Sequence, residues 1–264
     1  MLTRILSNPR FLAIYSGTVT LTFILTVAIV LAHGGLSLRA VSAAQTPIPR
    51  SQTFDQITVR RINVVEPDGT PRLVIAGNAE FPGELFKGKE SPRPDRNGYA
   101  GMLFMNDEGT ENGGLIFGGR RSSDGVVHSF GHLSFDEYQQ NQSLSFDTSE
   151  QAANHTTSYQ INDNGSGLYT PEVLAELQRI RMMPDGPEKQ KAGETAMDKY
   201  QISLRPRASL ERSADQSVAL RLRDPKGNTR LLLRVAPDGT PAMQFLDAAG
   251  KITSQWPDAS GSGK

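Results

Sequence analysis

The sequence predicts a mainly β protein, an antiparallel hairpin or meander body with one short helix, preceded by a single N-terminal transmembrane helix. Three observations lead to this prediction. An uncharged run lies near the N-terminus, short apolar runs alternate with four-residue turns that end in glycine, and one later segment has the start signal and the spacing of a helix.

The N-terminal run covers residues 11–32 (FLAIYSGTVTLTFILTVAIVLA) and contains no charged side chain. A helix of this length is about 33 Å long, which is enough to cross a hydrocarbon core of about 30 Å. Arg4 and Arg10 precede it, and this favours a cytoplasmic segment 1–10 and an extracytoplasmic C-terminal domain at the cell membrane. The alternative is a cleaved signal peptide with Val41–Ala43 as its cleavage site, although the apolar region of a signal is usually only about 7–15 residues.

The rest of the chain divides by composition. We predict a flexible stalk (residues 33–53), a β-rich region (54–169) and a helix followed by a mobile charged linker (170–199). C-terminal β-hairpin repeats (200–256) and a disordered tail (257–264) follow.

The string PDGTP occurs twice, at Pro67–Pro71 and at Pro237–Pro241. The first copy belongs to a set of tetrapeptides that begin with an acid or Asn and end with Gly, at Glu66–Gly69, Asn106–Gly109, Asn162–Gly165, Asp224–Gly227 and Asp247–Gly250; the second copy, Ala236–Gly239, is a variant without the polar first residue. Asp or Asn at the first position can accept from the backbone N–H two residues on, and Gly at the fourth takes a positive φ. We therefore predict hairpin turns. A calcium loop, the alternative, would need an alternating Asp-x-Asp-x-Asp-Gly spacing that no segment has.

Two insertions interrupt the hairpins. Residues 82–99 are rich in Pro, Gly and charge and predict a long exposed loop. After it, Thr170 is placed to cap a helix and Pro171 suits its first position. The apolar stripe of that helix is Val173, Leu174, Leu177 and Ile180.

Composition excludes several classes of function. The chain has no Cys, so disulfides, thiolate catalysis and Cys-ligated metals are excluded. Beyond residue 43 the chain has 25 Lys plus Arg against 28 Asp plus Glu, a formal charge of about −3. Nothing in that balance suggests a nucleic-acid-binding surface, and no motif predicts a cofactor.

Three blocks carry a resemblance: FDQITVRRINVVEPDGTPRLVIAG at 54–77, NDEGTENGGLIFGGRR at 106–121 and LSFDEYQQNQSL at 133–144. In these blocks, which cover most of 54–145, the chain resembles a family of uncharacterised bacterial membrane-anchored proteins. The C-terminal DPKGNTRLLL segment is similar to the D-x-x-G-x-x-R strand repeats of bacterial proteins. The resemblance implies a bacterial source and a β-rich fold, and it transfers no catalytic residue.

The strongest metal candidates are His128, His132 and Asp136 in HSFGHLSFDE. Two imidazoles four residues apart share a face of a helix or a strand, and a carboxylate would complete a zinc site. The apolar parity changes around Gly131, however, and a β-bulge there would turn the two His residues to different faces. We favour the bulge and predict no metal.

Carboxylates for acid–base work on a glycan are also present, at Asp136, Glu137, Asp147 and Glu150. Solvated strand edges commonly carry such groups, and catalytic residues stay unknown.

Glycines and aromatic residues are concentrated in residues 99–146. Glycine beside a ring leaves a flat face for stacking, so Tyr99, Phe117 and Tyr138 are candidates for a ligand-stacking surface. We favour the alternative, in which the rings fill the core and the glycines form bulges.

These features favour a membrane-anchored extracytoplasmic protein that acts by binding or assembly. Its partners are the membrane, through residues 11–32, and a second copy, through strand edges; its ligand is unknown. The alternative is a cell-envelope hydrolase of carbohydrate or peptide, metal-dependent through His128 and His132.

Overall fold

The computed structural model describes residues 18, 20–26 and 51–257. Residues 18 and 20–26 are helical, and the remainder of the predicted span 11–32 lies outside the described residues. So do the predicted segment 1–10, most of the stalk and residues 258–264 of the tail. In the part of the chain that is described, no helix has both the length and the apolar character that a membrane crossing requires.

Twelve strands form one antiparallel sheet in which the order along the sheet is the order along the chain, as predicted for a meander. A separate two-stranded hairpin, β3–β4, is inserted between β2 and β5. The strands are β1 (Arg61–Val65), β2 (Pro71–Ala76), β3 (Glu84–Phe86), β4 (Lys89–Ser91), β5 (Ala100–Met105), β6 (Glu111–Arg121), β7 (Val127–Asp136), β8 (Gln142–Gln151), β9 (Asn154–Asp163), β10 (Arg205–Arg212), β11 (Val218–Arg223), β12 (Thr229–Val235), β13 (Pro241–Leu246) and β14 (Ile252–Trp256).

The first strand begins later than expected. The sequence places the start of the folded part near Phe54, whereas residues 51–60 contain no strand and β1 begins at Arg61. Ile57 and Val59, the first apolar residues of the predicted hairpin, are exposed.

Glycine-ended turns connect the strands as predicted. Positive φ angles occur at Gly69, Gly109, Gly227, Gly239 and Gly250. A first-position Asp side chain accepts a hydrogen bond from the backbone two residues later: Asp224 Oδ1 accepts from the backbone N–H of Lys226 at 2.9 Å. In the PDGTP copies the third-position Asp does this instead, and Asp68 Oδ1 accepts from the Thr70 N–H at 2.9 Å. Alternate turns of a meander lie at opposite ends of its strands, so the two copies are at opposite ends of the sheet. They are turns, and they do not converge on a site.

One predicted turn is wrong. Asn162 and Asp163 belong to β9, and the chain then enters two helices before it returns to the sheet as β10. Gly165 does not form a hairpin turn. It allows the chain to pass close to the Gln201 carbonyl oxygen, since a Cβ atom at this position would lie 1.9 Å from that oxygen.

The two helices are α1 (Pro171–Arg181) and α2 (Pro187–Tyr200). As predicted, the Thr170 hydroxyl caps α1 by accepting from the Val173 N–H at 3.3 Å, and Val173 and Ile180 are buried. The charged linker predicted after α1 is wrong, since that segment is α2. Pro187 starts α2 and Ala196 is buried, while the charged residues lie on its solvent side.

The exposed loop predicted at 82–99 is wrong as well. It contains the β3–β4 hairpin and a 3-10 turn at Pro94–Arg96. Leu85 of β3 is 5% exposed, because it completes a buried apolar cluster with four residues of the sheet: Val74, Ala76, Leu103 and Met105. This cluster covers one face of the sheet near its N-terminal strands.

Candidate functional site

The opposite face of the sheet carries an unbroken apolar row. The strand register pairs one residue of each strand directly with one of the next, and all twelve are apolar or aromatic: Ile62, Ile75, Met102, Leu115, Leu133, Phe146, Tyr159, Leu210, Leu220, Leu233, Met243 and Trp256. Because side chains on a strand alternate between faces, a row that is continuous in register lies on one face.

A second row runs beside the first, two residues along each strand. It contains Val64, Leu73, Phe104, Gly113, Phe135, Leu144, Ile161, Ala208, Leu222, Leu231, Phe245 and Ser254. We call the two rows together the apolar band. It contains no charged residue.

The apolar band is open to solvent along its whole length. Gly113 is its only buried residue, while Phe146 is 46% exposed and Leu210 49% exposed. Rings stack along it, with centroids 6.0 Å apart for Phe104 and Phe135. Twelve strands spaced about 4.8 Å apart, with about 14 Å of strand in the band, give an area of about 700 Å². The largest apolar patch on a typical monomer is about 300–600 Å², so a band of this size indicates an interaction surface.

The other face of the sheet is polar beyond the buried cluster. Between the two apolar rows, on that face, the register places a row that is polar over its middle strands: Ser134, Ser145, Gln160, Ser209 and Arg221. Ser134, Ser145 and Ser209 are buried. The sheet is therefore amphipathic, and the two faces serve different purposes.

Ion pairs connect the β3–β4 hairpin and the 3-10 turn at Pro94–Arg96 to the polar face of the sheet and to α1. Arg96 donates from Nη1 to Glu111 Oε1 at 2.9 Å and from Nη2 to Oε2 at 2.6 Å. Glu111 also accepts from the backbone N–H of Leu85 at 2.7 Å, which joins the β3–β4 hairpin to β6. Glu84 accepts from Arg93 at 3.2 Å and from Arg181 of α1 at 3.1 Å. These three ion pairs are largely shielded from solvent, and Glu84 is shared by two of the three arginines.

Arg93, Arg96, Glu111 and Asp136 line two adjoining cavities, which we call the charged pocket, and of these four residues only Asp136 forms no ion pair. The two cavities, of about 350 and 230 Å³, share Asp136 in their walls. Its Oδ1 atom is buried without a hydrogen-bond partner. Burial, reinforced by the charge of Glu111, raises the pKa of Asp136 to about 6, although Ser134, His132 and Arg96 oppose the rise. Burial also raises the pKa of Tyr169, in the wall of the smaller cavity, to about 12.

The metal candidates do not converge. The predicted bulge at Gly131 is wrong, because Gly131 pairs in regular register with both Phe117 and Thr148. His128 and His132 therefore share a face, but four residues of strand separate their Cα atoms by about 13 Å, too far to share one ion. His132 Nδ1 instead lies 2.6 Å from Asp147 Oδ1. Among the residues described, no three His, Asp or Glu side chains are grouped as a metal site would need.

The other predicted carboxylates are also dispersed. Asp147 is held by His132 and by the Ser145 hydroxyl, at 2.8 Å. Burial raises the pKa of Asp147, but the hydrogen bonds from His132 and Ser145 outweigh it and lower the pKa overall. Glu150 lies 3.9 Å from His155 at the far end of β8, and Glu137 is exposed in the β7–β8 turn.

The predicted stacking residues lie in three different places. Tyr99 packs on Phe130 on the polar face, with ring centroids 4.9 Å apart. Phe117 continues the line of Leu115 on the apolar face, and Tyr138 donates to Glu108 from the β7–β8 turn. The expectation that the rings fill the core is wrong for Phe117 and Tyr138, which are more than half exposed. They do not form one ligand surface.

Sequence reasoning missed the apolar band as a single surface and missed the charged pocket. The signal for the band was present in the alternation of strands such as LRLR at 220–223, but only the register shows that every strand places its apolar residues on one line. The pocket gave no local signal, because Glu84 and Arg181 are 97 residues apart.

The fold and these surfaces define a class: a single-layer, twelve-stranded antiparallel meander with one open apolar face and one polar face carrying a charged pocket. No protein-family model matches the chain, and the comparison with the curated proteins finds no match either.

Proposed function

We infer that this is a membrane-anchored extracytoplasmic protein that acts by binding or assembly, and that the apolar band is the surface through which it acts. The open band across twelve strands carries this inference. Exposed apolar side chains of this extent are stabilised when another surface removes them from water, at about 25 cal/mol per Å² of apolar area.

The anchor is residues 11–32, with residues 1–10 in the cytoplasm and the sheet outside. The uncharged run and the two preceding arginines support this topology. Carbonate extraction of membranes from expressing cells tests it: the full chain should stay with the membrane, and replacing residues 20–26 with a charged segment should release it. Full release of the unaltered chain would contradict anchoring.

Cover of the band can be tested with cysteine reporters, because the chain contains no Cys. Thr148 and Ser149 are exposed neighbours on β8 that point to opposite faces, and Thr148 adjoins the apolar band next to Phe146. In intact cells, a membrane-impermeant maleimide should label full-length Ser149→Cys, which also places the sheet outside. Thr148→Cys should react more slowly, because the band is covered.

After denaturation both cysteines should react alike, which controls for intrinsic reactivity. Equal labelling of the two variants in the folded protein would refute a covered band. If neither variant were labelled until the cells were permeabilised, the extracytoplasmic location would be wrong.

A second candidate function is an envelope hydrolase of carbohydrate or peptide. The observation in its favour is Asp136, a carboxyl group whose raised pKa suits a general acid and whose unpartnered oxygen lies beside a cavity. Because His128 and His132 lie too far apart to share one ion, zinc bound by this pair is not expected; stoichiometric zinc in the purified chain that is lost when both are replaced by Ala would contradict that geometry and favour a metal-dependent hydrolase.

A further inference from the structure

We propose that the apolar band is covered by the apolar band of a second copy of this chain, so that two sheets pack face to face as a β-sandwich. The proposal rests on the proposed function and deepens it by naming the occupant of the band.

The size of the band fits this occupant. Its area of about 700 Å² is close to the roughly 800 Å² that each partner contributes to a standard stable interface. Face-to-face packing of sheets about 10 Å apart buries side chains of both inner faces in one core. Full overlap of the two bands would therefore give each copy the second layer that a single sheet lacks.

The chemistry of the band is complementary to itself. It has no charge along its length, so a symmetric dimer buries no unpaired ion. Large side chains such as Phe146 and Leu210 project from the middle of the sheet, beside the small Ala208 on β10. A two-fold dimer uses the same patch on both copies, and a continuous two-row band provides such a patch.

The rim of the band argues against a lipid surface as its occupant. The turns β1–β2, β5–β6, β7–β8, β11–β12 and β13–β14 lie at one end of the sheet, beside the second row. Their tetrapeptides contain one Lys, Lys226, and seven carboxylates: Glu66, Asp68, Asp107, Glu108, Glu137, Asp224 and Asp247. Arg72, Lys87 and Arg230 form ion pairs with four of the seven, so the rim keeps a smaller but still negative net charge. Anionic membrane surfaces attract basic segments and repel an acidic rim of this kind.

Pairing of two copies through strand edges, which the sequence suggests, would leave the apolar band exposed to water. Only β1 and β14 have a free edge within the twelve-stranded sheet, and each is five residues long. Adding a strand to either edge would extend the sheet and leave both apolar bands in water.

Site-specific cross-linking of the full chain in its membrane tests the proposal. Ala208→Cys places a thiol in the second row of the band near the middle of the sheet, and Ser149→Cys is the control on the polar face. A flexible bifunctional maleimide spanning about 15 Å exceeds the separation of packed sheets. We expect a cross-linked dimer from Ala208→Cys and none from Ser149→Cys.

A charge placed in the band should abolish that product. Adding Leu210→Glu to Ala208→Cys should lower the dimer yield at least about tenfold, because burying unpaired carboxylates at the interface is strongly unfavourable. Thr156→Glu, an exposed change on the polar face, should leave the yield unchanged. Protease resistance reports whether each variant is folded, and the Ala208→Cys result stands without any destabilising change.

The outcomes separate this proposal from the proposed function. If Thr148→Cys is protected but Ala208→Cys gives no dimer, or gives adducts only with another protein or with lipid, the second copy is wrong and binding through the band survives. Dimers formed only from cysteines on β1 and β14 would overturn face-to-face packing and support edge pairing. If Thr148→Cys is also freely labelled, both proposals fail.

Discussion

Replacing Asp136 with Asn should stabilise the protein near neutral pH and leave it unchanged in acid. The folded state raises the pKa of this carboxyl group from 3.8 to about 6, mainly through burial. Between these two values the folded protein keeps a proton that the unfolded chain has released. Stability therefore falls as pH rises through this window, and the penalty is complete above the folded pKa.

The magnitude follows from the shift. A rise of about two pKa units corresponds to about 3 kcal/mol of unfolding free energy lost above pH 6, as an order of magnitude. Asn is close to Asp in shape and uncharged at every pH. The variant should therefore gain up to about 3 kcal/mol over the unaltered protein at about pH 8, and nothing below about pH 4.

Urea unfolding followed by circular dichroism, on both proteins across this pH range, measures the difference. A gain that appears between about pH 4 and 6 and then levels off is the expected profile. A variant that is less stable at about pH 8, or a difference that does not change with pH, would refute the conclusion that burial destabilises the ionised form of Asp136 in the folded protein.

Three further predictions use the same measurement. Asp147→Asn should lower the free energy of unfolding at neutral pH, the opposite of the Asp136→Asn effect, because the folded state lowers the pKa of Asp147. The loss of stability should vanish as pH falls through that pKa, and a loss that stays the same in acid would contradict this prediction. Arg96→Ala leaves a shielded carboxylate unpaired and should cost about 3 kcal/mol, so a loss below about 1 kcal/mol would mean that the ion pair does not hold the insertion. Gly227→Ala should destabilise by about 1–2 kcal/mol because φ is +86° in its turn, whereas Gly193→Ala in the interior of α2, with open space around it, should stabilise by about 1 kcal/mol; equal effects would refute the turn geometry.

Local features of the fold were predictable to the residue. The turn glycines had to take positive φ, and the Thr170 cap and Pro171 start of α1 follow from the backbone groups that a helix end leaves free. The same local reasoning failed for Asn162–Gly165, where the tetrapeptide has turn chemistry but the chain continues from β9 towards α1. It also failed for 82–99, because burial of Leu85 depends on a cluster that no local window contains.

The candidate site was less predictable than the fold. The spacing of His128 and His132 allowed a shared face, but the prediction favoured a bulge at Gly131 and was wrong, because apolar parity along one strand does not distinguish a bulge from a regular strand. The ionic partners of Glu84 and Glu111 come from other elements, and charge type alone does not select between the many Arg residues of the chain.

The sequence by itself determined that short strands would fold back at glycine-ended turns, because turn chemistry and side-chain alternation act over two to four residues. Only the tertiary structure decided that twelve apolar residues, one per strand, would align into an open row. Register is a property of pairs of strands, and a slip of one residue in any pair would have sent half of that row to the other face.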